Sequence, residues 1–447
     1  MRKLFGTDGI RGRAGAPPLD AATASRVGAA LVATLRLEGA PTLPRVVIGC
    51  DPRESSPWLV EALAGGVAAA GGVPVSAGVV PTPGVAHLVL STGAAAGLVV
   101  SASHNPWEDN GIKVFSAAGR KLPDKVELEL EMEEAIGVEG TFPPLAVTAD
   151  GSLVEEYVRH LAASVPHRLD GLKVVLDAAN GAAYRVAGEA FRRAGAEVVE
   201  TNVSPDGRNI NHDCGALHPR AMAARTAAEG AHLGLALDGD ADRLQMADSE
   251  GRLLDGDDIL WFWTLEMERE GRLPPAVVGT VMSNWGLEEA LAGKGVRLLR
   301  AAVGDRYVVE EMERSGAVLG GEPSGHLIHA ERSTTGDGVL TGLAVASLVA
   351  ATGRPLASLP RITRTPQVLR NVLVRERVPI GEIPGLAEEQ ARAEGLLAGH
   401  GRTLLRYSGT ELLFRVMVEG SDTAAVHEAA DSLVRTVEKA IGRGVAP

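Results

Sequence analysis

Residues 45–75 read RVVIGCDPRESSPWLVEALAGGVAAAGGVPV. The apolar run Val46-Val47-Ile48 predicts a buried strand. The polar turn Asp51-Pro52-Arg53-Glu54 follows. Ser56-Pro57 then opens a helix, with serine as N-cap and proline in the first turn. That helix ends near Gly71-Gly72, and Val73-Pro74-Val75 begins a second strand. The unit returns twice. Lys173–Asp177, the turn Ala179-Asn180-Gly181, an Ala-rich helix to Gly195 and Glu197–Glu200 form the second copy. Ala276–Gly279, the turn Ser283–Gly286, a helix to Gly295 and Val296–Leu299 form the third. Strands alternating with helices of this length predict βαβ units with parallel pairing. Copies spaced by about a domain length predict three related α/β domains.

Outward from these units the texture changes. Gly/Pro-rich stretches at 137–152, 250–256 and 352–362 predict linkers. Beyond residue 365, the strand-like runs 368–374, 404–406 and 412–418 precede a helix over 423–441, which predicts a small α+β domain. The expected division is 1–150, 151–253, 254–364 and 365–447. The sequence has 447 residues, too many for one core. Aromatics make up only 3% of it, so the run Trp261-Phe262-Trp263 predicts buried helix packing. A net charge of −13 excludes general nucleic-acid binding, which needs a basic surface. The two cysteines, Cys50 and Cys214, form no CxxC and predict neither a disulfide framework nor a zinc site, in keeping with a reducing cytoplasm. No apolar signal core or membrane span is expected.

Five polar loops carry the chemistry. Residues 101–106, SASHNP, follow the buried strand Gly97–Val100 and place Ser103 at a sharp bend, where α/β folds bind ligands. Residues 5–12, FGTDGIRG, predict a Gly-rich loop whose backbone lies near an anion beside Arg11. In DGDADR, 238–243, the alternating carboxylates Asp238, Asp240 and Asp242 can converge on one hard cation. All-oxygen ligands favour Mg²⁺ over zinc. GGEPSGH, 320–326, offers Glu322, Ser324 and His326 to sugar hydroxyls or an amine; a Gly-rich hairpin is the competing reading. RYSGTE, 406–411, with Arg415 on the next strand, combines hydroxyls, a glycine and two guanidinium forks into a phosphate cradle. It lacks the lysine-bearing nucleotide P-loop, so ATP is not implied. A nucleophile, a hard-metal loop, a polyol loop and a phosphate loop together predict phosphoryl transfer on a phosphorylated sugar.

With these motifs in this order, and with SASHNPWEDNGIK at 101–113, the chain resembles the α-D-phosphohexomutases from end to end. CG at 214–215, GTVMSNWGLE at 279–288 and VGDRYV at 303–308 favour the branch that acts on glucosamine phosphates; relatives acting on mannose or glucose phosphates typically carry His where Asp305 stands. The sequence departs from the family at Pro323, usually Gln, and at Tyr407 and Leu412, usually Pro. The resemblance implies three α/β domains of mixed sheets flanked by helices and a C-terminal α+β cap, around a central cleft. It implies a phosphorylated Ser103, with one Mg²⁺ held by Asp238, Asp240, Asp242 and an oxygen of that phosphate. Glucosamine 6-phosphate and glucosamine 1-phosphate would interconvert through glucosamine 1,6-bisphosphate, supplying UDP-N-acetylglucosamine and cell-wall precursors. Arg243 and Arg11 would flank the transferring group, and Lys113, ranked before His104 and His326, would move the hydroxyl proton. Glu322, Ser324 and His326 would read the sugar, while Arg406, Ser408, Gly409, Thr410 and Arg415 would hold the distal phosphate. A cytoplasmic homodimer that binds no nucleic acid or membrane is the expected form.

The alternative within the family is a mutase for neutral hexose phosphates. A Mg²⁺-dependent phosphatase also uses a serine nucleophile, but need not hold its substrate in two orientations. A non-catalytic binding protein would lack a nucleophile or a metal ligand, and neither is missing here.

Overall fold

In the computed structural model the first Gly-rich motif is a β-hairpin rather than a loop. β1 (Phe5–Gly6) pairs antiparallel with β2 (Gly9–Arg13). Gly9 is needed there: its φ is +79°, and a Cβ would lie 2.4 Å from the carbonyl oxygen of Ile112. The structure describes residues 4–6, 8–37, 39–123, 125–128, 130–131, 141–408 and 411–443.

By internal contacts the chain forms two units, Met1–Val278 with Ala301–Pro360, and Gly279–Arg300 with Arg361–Pro447. In the first unit the quoted stretch folds as expected into β3 (Arg45–Cys50), the helix Ser56–Ala69 and β4 (Val73–Val79), with the two strands parallel. The N-cap is Ser55, not Ser56, and its side chain makes no capping bond. The Ser56 hydroxyl instead donates to Asp51 Oδ1 at 3.0 Å, within the same strand–helix turn. β5 (Ala96–Val100) runs parallel to β3, and β6 (Asp109–Ser116) returns antiparallel to β5 and pairs with β2. The sheet order is β1-β2-β6-β5-β3-β4. The apolar stripes of the helices Ala21–Leu37 and Ser56–Ala69 bury Leu31, Leu59 and Leu63 against this sheet.

The second sheet repeats the plan. β7 (Lys173–Asp177) lies parallel between β8 (Glu197–Thr201) and β9 (Leu233–Leu237). β10 (Leu244–Asp248) and β11 (Leu253–Leu254) add antiparallel strands. The expected linker at 250–256 is therefore the turn of the β10–β11 hairpin running into the helix Gly256–Arg269. That helix buries Trp261, Phe262 and Trp263, and the Trp261 indole donates to Pro360 O at 2.9 Å. The next strands are β12 (Ala276–Thr280), β13 (Arg297–Ala301), β14 (Leu319–Gly321) and β15 (Leu327–His329). β14 pairs parallel with β12 at Val278↔Gly320 and antiparallel with β15. Of the expected linker at 137–152, residues 137–140 lie outside the described residues, and the helix Gly151–Ala163 has begun by its end.

In the second unit β16 (Gln367–Leu373) and β17 (Gly401–Tyr407) flank β18 (Leu413–Gly420) in an antiparallel sheet. The helices Leu386–Leu396 and Thr423–Ile441 cover one face, burying Leu386, Leu433 and Val437 with Phe414 and Val416. Among the described residues no helix is long and apolar enough to cross a membrane. Cys50 and Cys214 are free and buried, as expected; burial pushes each thiol up to about 12.

Candidate active site

Ser103 stands three residues past the C-terminal end of β5, with φ at +53°, in the left-handed region a serine seldom occupies. Its side chain is 1% exposed, and Oγ donates to Asp238 Oδ2 at 2.6 Å. His104 Nδ1 is 3.3 Å from the same hydroxyl. Burial first, then the Arg243 and Arg11 charges, lower the His104 pKa and favour the neutral ring.

The carboxylates of Asp238, Asp240 and Asp242 follow β9 in one tight turn. All three are buried, and one oxygen of each lies within 4.8 Å of the others. Burial, then Asp242 and Asp240, push Asp238 well above the usual carboxylate range. Asp242 is held well below it: burial opposes ionisation, but Lys113, His326 and Arg243 outweigh that cost. Asp240 and Asp242 each have one oxygen engaged by the protein, and Asp238 has both. Asp238 Oδ1 accepts from the Arg243 amide at 3.2 Å, Asp240 Oδ2 from Thr82 Oγ1 and Lys113 Nζ, and Asp242 Oδ2 lies 3.6 Å from His326 Nδ1. Among the described residues, Asp240 Oδ1 and Asp242 Oδ1 are buried with no hydrogen-bond partner. Two orphaned anionic oxygens beside a third carboxylate fit a hard divalent cation such as Mg²⁺.

Lys113, on β6, is wholly buried. Its Nζ is 2.9 Å from Asp240, 3.2 Å from Asp8 and 3.4 Å from Asp242. Burial favours the neutral amine, but these carboxylates prevail and raise the pKa well above normal. Arg11 pairs with Asp8 and reaches Ala102 O at 3.3 Å and Asn105 Oδ1 at 3.4 Å, so its fork lies along the Ser103 turn. Among the described residues, Arg243 Nε is buried without a hydrogen-bond partner, 3.9 Å from Asp242 Oδ1.

The loop 320–326 is the turn of the β14–β15 hairpin, the shape of the competing reading. Leu244 N donates to Gly325 O at 3.0 Å, and Arg243 bridges to His326, which seats this turn beside the acidic loop. Glu322 Oε1 accepts from Gly304 N at 3.0 Å, and Ser324 is exposed above it. His326 is buried between Asp242 and Asp305; Nε2 accepts from Gly336 N at 3.3 Å, leaving Nδ1 to carry a proton toward Asp242. Its pKa is raised, burial being outweighed by Asp242 and Asp305.

The first unit thus brings together Ser103, His104, Lys113, Arg11, Arg243, the three aspartates, Glu322, Ser324 and His326. Arg406, Ser408 and Arg415 belong to the second unit, and Gly409 and Thr410 lie outside the described residues. Arg406 on β17 stands directly across from Arg415 on β18. Burial and then the Arg415 charge lower the Arg406 pKa, and Arg415 Nε is buried with no hydrogen-bond partner among the described residues. Facing guanidinium groups with an unspent donor suit an anion. Arg377 donates to Ser408 O at 2.7 Å and Glu411 O at 3.1 Å, tying the loop ends together. Where the family usually has proline, the Tyr407 hydroxyl donates to Val378 O at 2.6 Å, and its ring packs edge-on against Phe414.

Sequence reasoning missed Thr82, Lys121, Asn211 and Arg377 and read Arg53 only as part of a turn. Lys121 bridges Asp8 and Asp305, joining the N-terminal hairpin to the helix Asp305–Ser315. None of these residues lies in a Gly-rich motif. Only the Asp51-Pro52-Arg53 turn carried a local signal.

The phosphoglucomutase/phosphomannomutase family models match in order: α/β/α domain I over residues 2–135, domain II over 155–251, domain III over 255–364 and the C-terminal domain over 369–436. A phosphoglucosamine mutase of Anaeromyxobacter sp. strain Fw109-5 is 47% identical, the match covering 99% of this chain and 96% of the relative. One from Moorella thermoacetica is 47% identical over 94% of this chain and 96% of its own length. Among solved structures, a phosphoglucomutase/phosphomannomutase family protein of Burkholderia thailandensis has a TM-score of 0.80 at 26% identity, covering 98% of this chain and 97% of its own. The N-acetylphosphoglucosamine mutase of Aspergillus fumigatus, solved with GlcNAc-6P and magnesium, shares the fold at a TM-score of 0.62 and 18% identity, covering 98% of this chain and 96% of its own. The chain belongs to the phosphoglucosamine mutase family and carries all four phosphoglucomutase/phosphomannomutase domains.

Proposed function

We propose that this chain interconverts glucosamine 6-phosphate and glucosamine 1-phosphate, with Ser103 as the phosphoryl carrier. The observation that carries the reading is the Ser103 hydroxyl, 2.6 Å from Asp238 in a buried carboxylate triad with two unspent oxygens. Asp238, Asp240 and Asp242 would hold Mg²⁺ with an oxygen of the Ser103 phosphate. When bound, that ion supplies charge neutralisation for the transferring group.

The residues do the rest. The free sugar hydroxyl forms a bond to phosphorus as the Oγ–phosphorus bond of Ser103 breaks, giving glucosamine 1,6-bisphosphate. After the bisphosphate turns end for end, the other phosphoryl group returns to Ser103. Arg243 and Arg11, both beside the Ser103 turn, meet the charge that develops, and transfer of this kind depends on such positioning. Lys113, ranked first from the sequence, is held as an ammonium by Asp240, Asp8 and Asp242 and has no lone pair to take the hydroxyl proton. His104, 3.3 Å from Ser103 Oγ and with its ring kept neutral, is the group that can accept it. Glu322 and Ser324 orient the sugar, His326 braces Asp242 from behind because both its ring nitrogens are taken up by Gly336 and Asp242, and Arg406, Ser408, Gly409, Thr410 and Arg415 hold the distal phosphate. The proposed division of labour follows the segments 1–150, 151–253, 254–364 and 365–447, one loop set from each. We place the enzyme in the cytoplasm as a homodimer; light scattering on the purified protein tests the dimer, and a monomer mass would overturn it.

Two measurements test the activity. Ser103→Ala abolishes both turnover and phosphate uptake; near-normal turnover would remove Ser103 as carrier. Glucosamine 6-phosphate is expected to exceed glucose and mannose phosphates in kcat/KM by ~10²-fold, about 3 kcal/mol of differential transition-state binding. Equal turnover of the neutral sugars keeps the chemistry and overturns the substrate.

A further inference from the structure

Two side chains from distant segments converge on the same two carbonyls of the Ser103 turn. Arg53 Nη2 donates to Ser103 O at 3.0 Å and Asn105 O at 2.8 Å. Asn211 Nδ2 donates to Ser103 O at 2.9 Å and Asn105 O at 3.3 Å. The Arg53 side chain is only 1% exposed, and its other terminal nitrogen reaches Pro106 O and, at 3.0 Å, Asp109 O. Its charge is balanced by Asp51, whose Oδ2 accepts Nε at 2.8 Å.

The other side of Ser103 is held by the same circuit. Ser103 N donates to Ser101 Oγ at 3.0 Å, and Ser101 Oγ donates to Asp51 Oδ2 at 2.6 Å. Both peptide planes flanking Ser103 are therefore pinned, and with them φ and ψ, leaving χ1 as its one soft torsion. A serine stays in the left-handed region only where its surroundings over-determine it. Here the result is an Oγ aimed at Asp238.

Asn211 also ties this carbonyl to the acidic loop. A Cβ on Gly239 would lie 2.5 Å from Ser103 O and 2.8 Å from Asn211 Nδ2, so the backbone between Asp238 and Asp240 rests on the same junction. The segment carrying Asn211 is itself docked, through Glu54 N to Gly207 O at 2.9 Å and Arg208 to Glu54 at 2.7 Å.

We propose that Arg53 and Asn211 are the positioning residues of the phosphoryl carrier: they fix the Ser103 backbone and hold its Oγ in line with the carboxylate triad. The proposal rests on Ser103 being that carrier. Neither side chain touches the reacting atoms, so their removal acts on geometry and not on sugar binding.

Asn211→Gly is the decisive variant. Asn211 has φ +60°, which glycine adopts without strain, so the change removes the donor and spares the backbone. The enzyme is purified phosphorylated, and kcat is taken per phosphorylated chain. We expect kcat to fall on the order of 10²-fold with KM within about twofold of wild type, as for a reacting atom displaced by about 1 Å. The ³¹P resonance of phosphoserine 103 should move. A kcat loss below about tenfold, or a loss carried by KM, overturns the proposal. Arg53→Lys, which keeps the charge but cannot span four carbonyls, should lose at least as much kcat; retention of wild-type kcat by folded protein would equally overturn it. Ser103→Ala run alongside separates the two failures. If it still takes up phosphate and turns over, the carrier reading falls; if it is dead while Asn211→Gly is active, only the positioning role falls.

Discussion

Asp240 offers its two oxygens to different kinds of partner. Oδ2 accepts from Thr82 and Lys113, whereas Oδ1 is buried with no hydrogen-bond partner among the described residues. Thr82 also binds Asp240 through its backbone, N to O at 3.0 Å, from the first turn of the helix Thr82–Thr92. Such outer contacts orient a ligand and tune its basicity. Thr82→Val keeps the shape and removes the hydroxyl, so Mg²⁺ affinity, read by titration calorimetry, should fall about tenfold or more. An unchanged affinity would show that Lys113 alone orients Asp240.

Close packing between elements sets the next constraint. The helices Ala21–Leu37 and Ser56–Ala69 approach so nearly that a Cβ on Gly66 would lie 1.8 Å from Ser25 O, and one on Gly28 2.4 Å from Leu63 O. The contacts are with backbone and cannot swing aside. Gly66→Ala should cost about 1–3 kcal/mol or more in urea unfolding. Gly395, exposed in the helix Leu386–Leu396 with nothing near its missing Cβ, gives the opposite sign: Gly395→Ala should gain up to about 1 kcal/mol. Another pair of helices, Thr82–Thr92 and Gly151–Ala163, meets through stacked rings of His87 and His160, 3.9 Å apart. Burial, then His160 and Arg159, push His87 from 6.5 down to about 4. In the unfolded chain it protonates first as pH falls. The stability it contributes is complete above pH 6.5 and is lost as pH falls from there toward 4. His87→Gln should flatten the thermal midpoint across that window; an equally steep loss in the variant would place the acid sensitivity elsewhere.

At the scale of the whole molecule, the proposed phosphoryl carrier and the proposed distal phosphate cradle belong to different units. Ser103 and the carboxylates belong to the first, while Arg406 and Arg415 belong to the second. Arg415→Gln leaves the phosphoryl carrier and its carboxylates intact and removes one fork from the cradle. KM for the phosphosugar should rise about tenfold to hundredfold, the ~1.5–3 kcal/mol of a hydrogen bond to a charged group. Phosphate on Ser103, read by intact mass, should be unchanged. Loss of that phosphate would assign Arg415 a role in transfer itself.

By itself the sequence determined the elements and the chemistry they could carry. Alternation of strand and helix was legible because buried strands such as Val46–Ile48 and turn residues such as Asn180-Gly181 are local signals. The acidic loop was legible because three carboxylates at alternate positions need neutralising wherever they are buried. Tertiary structure alone decided what holds these groups. Phe5–Arg13 became a hairpin because β6 offered an edge. Thr82, Lys121 and Asn211 act across more than a hundred residues of chain, on Asp240, Asp8 and Ser103. A single polar side chain carries no periodicity and no motif. Its partner is set by where the fold brings a distant backbone, which no local pattern encodes.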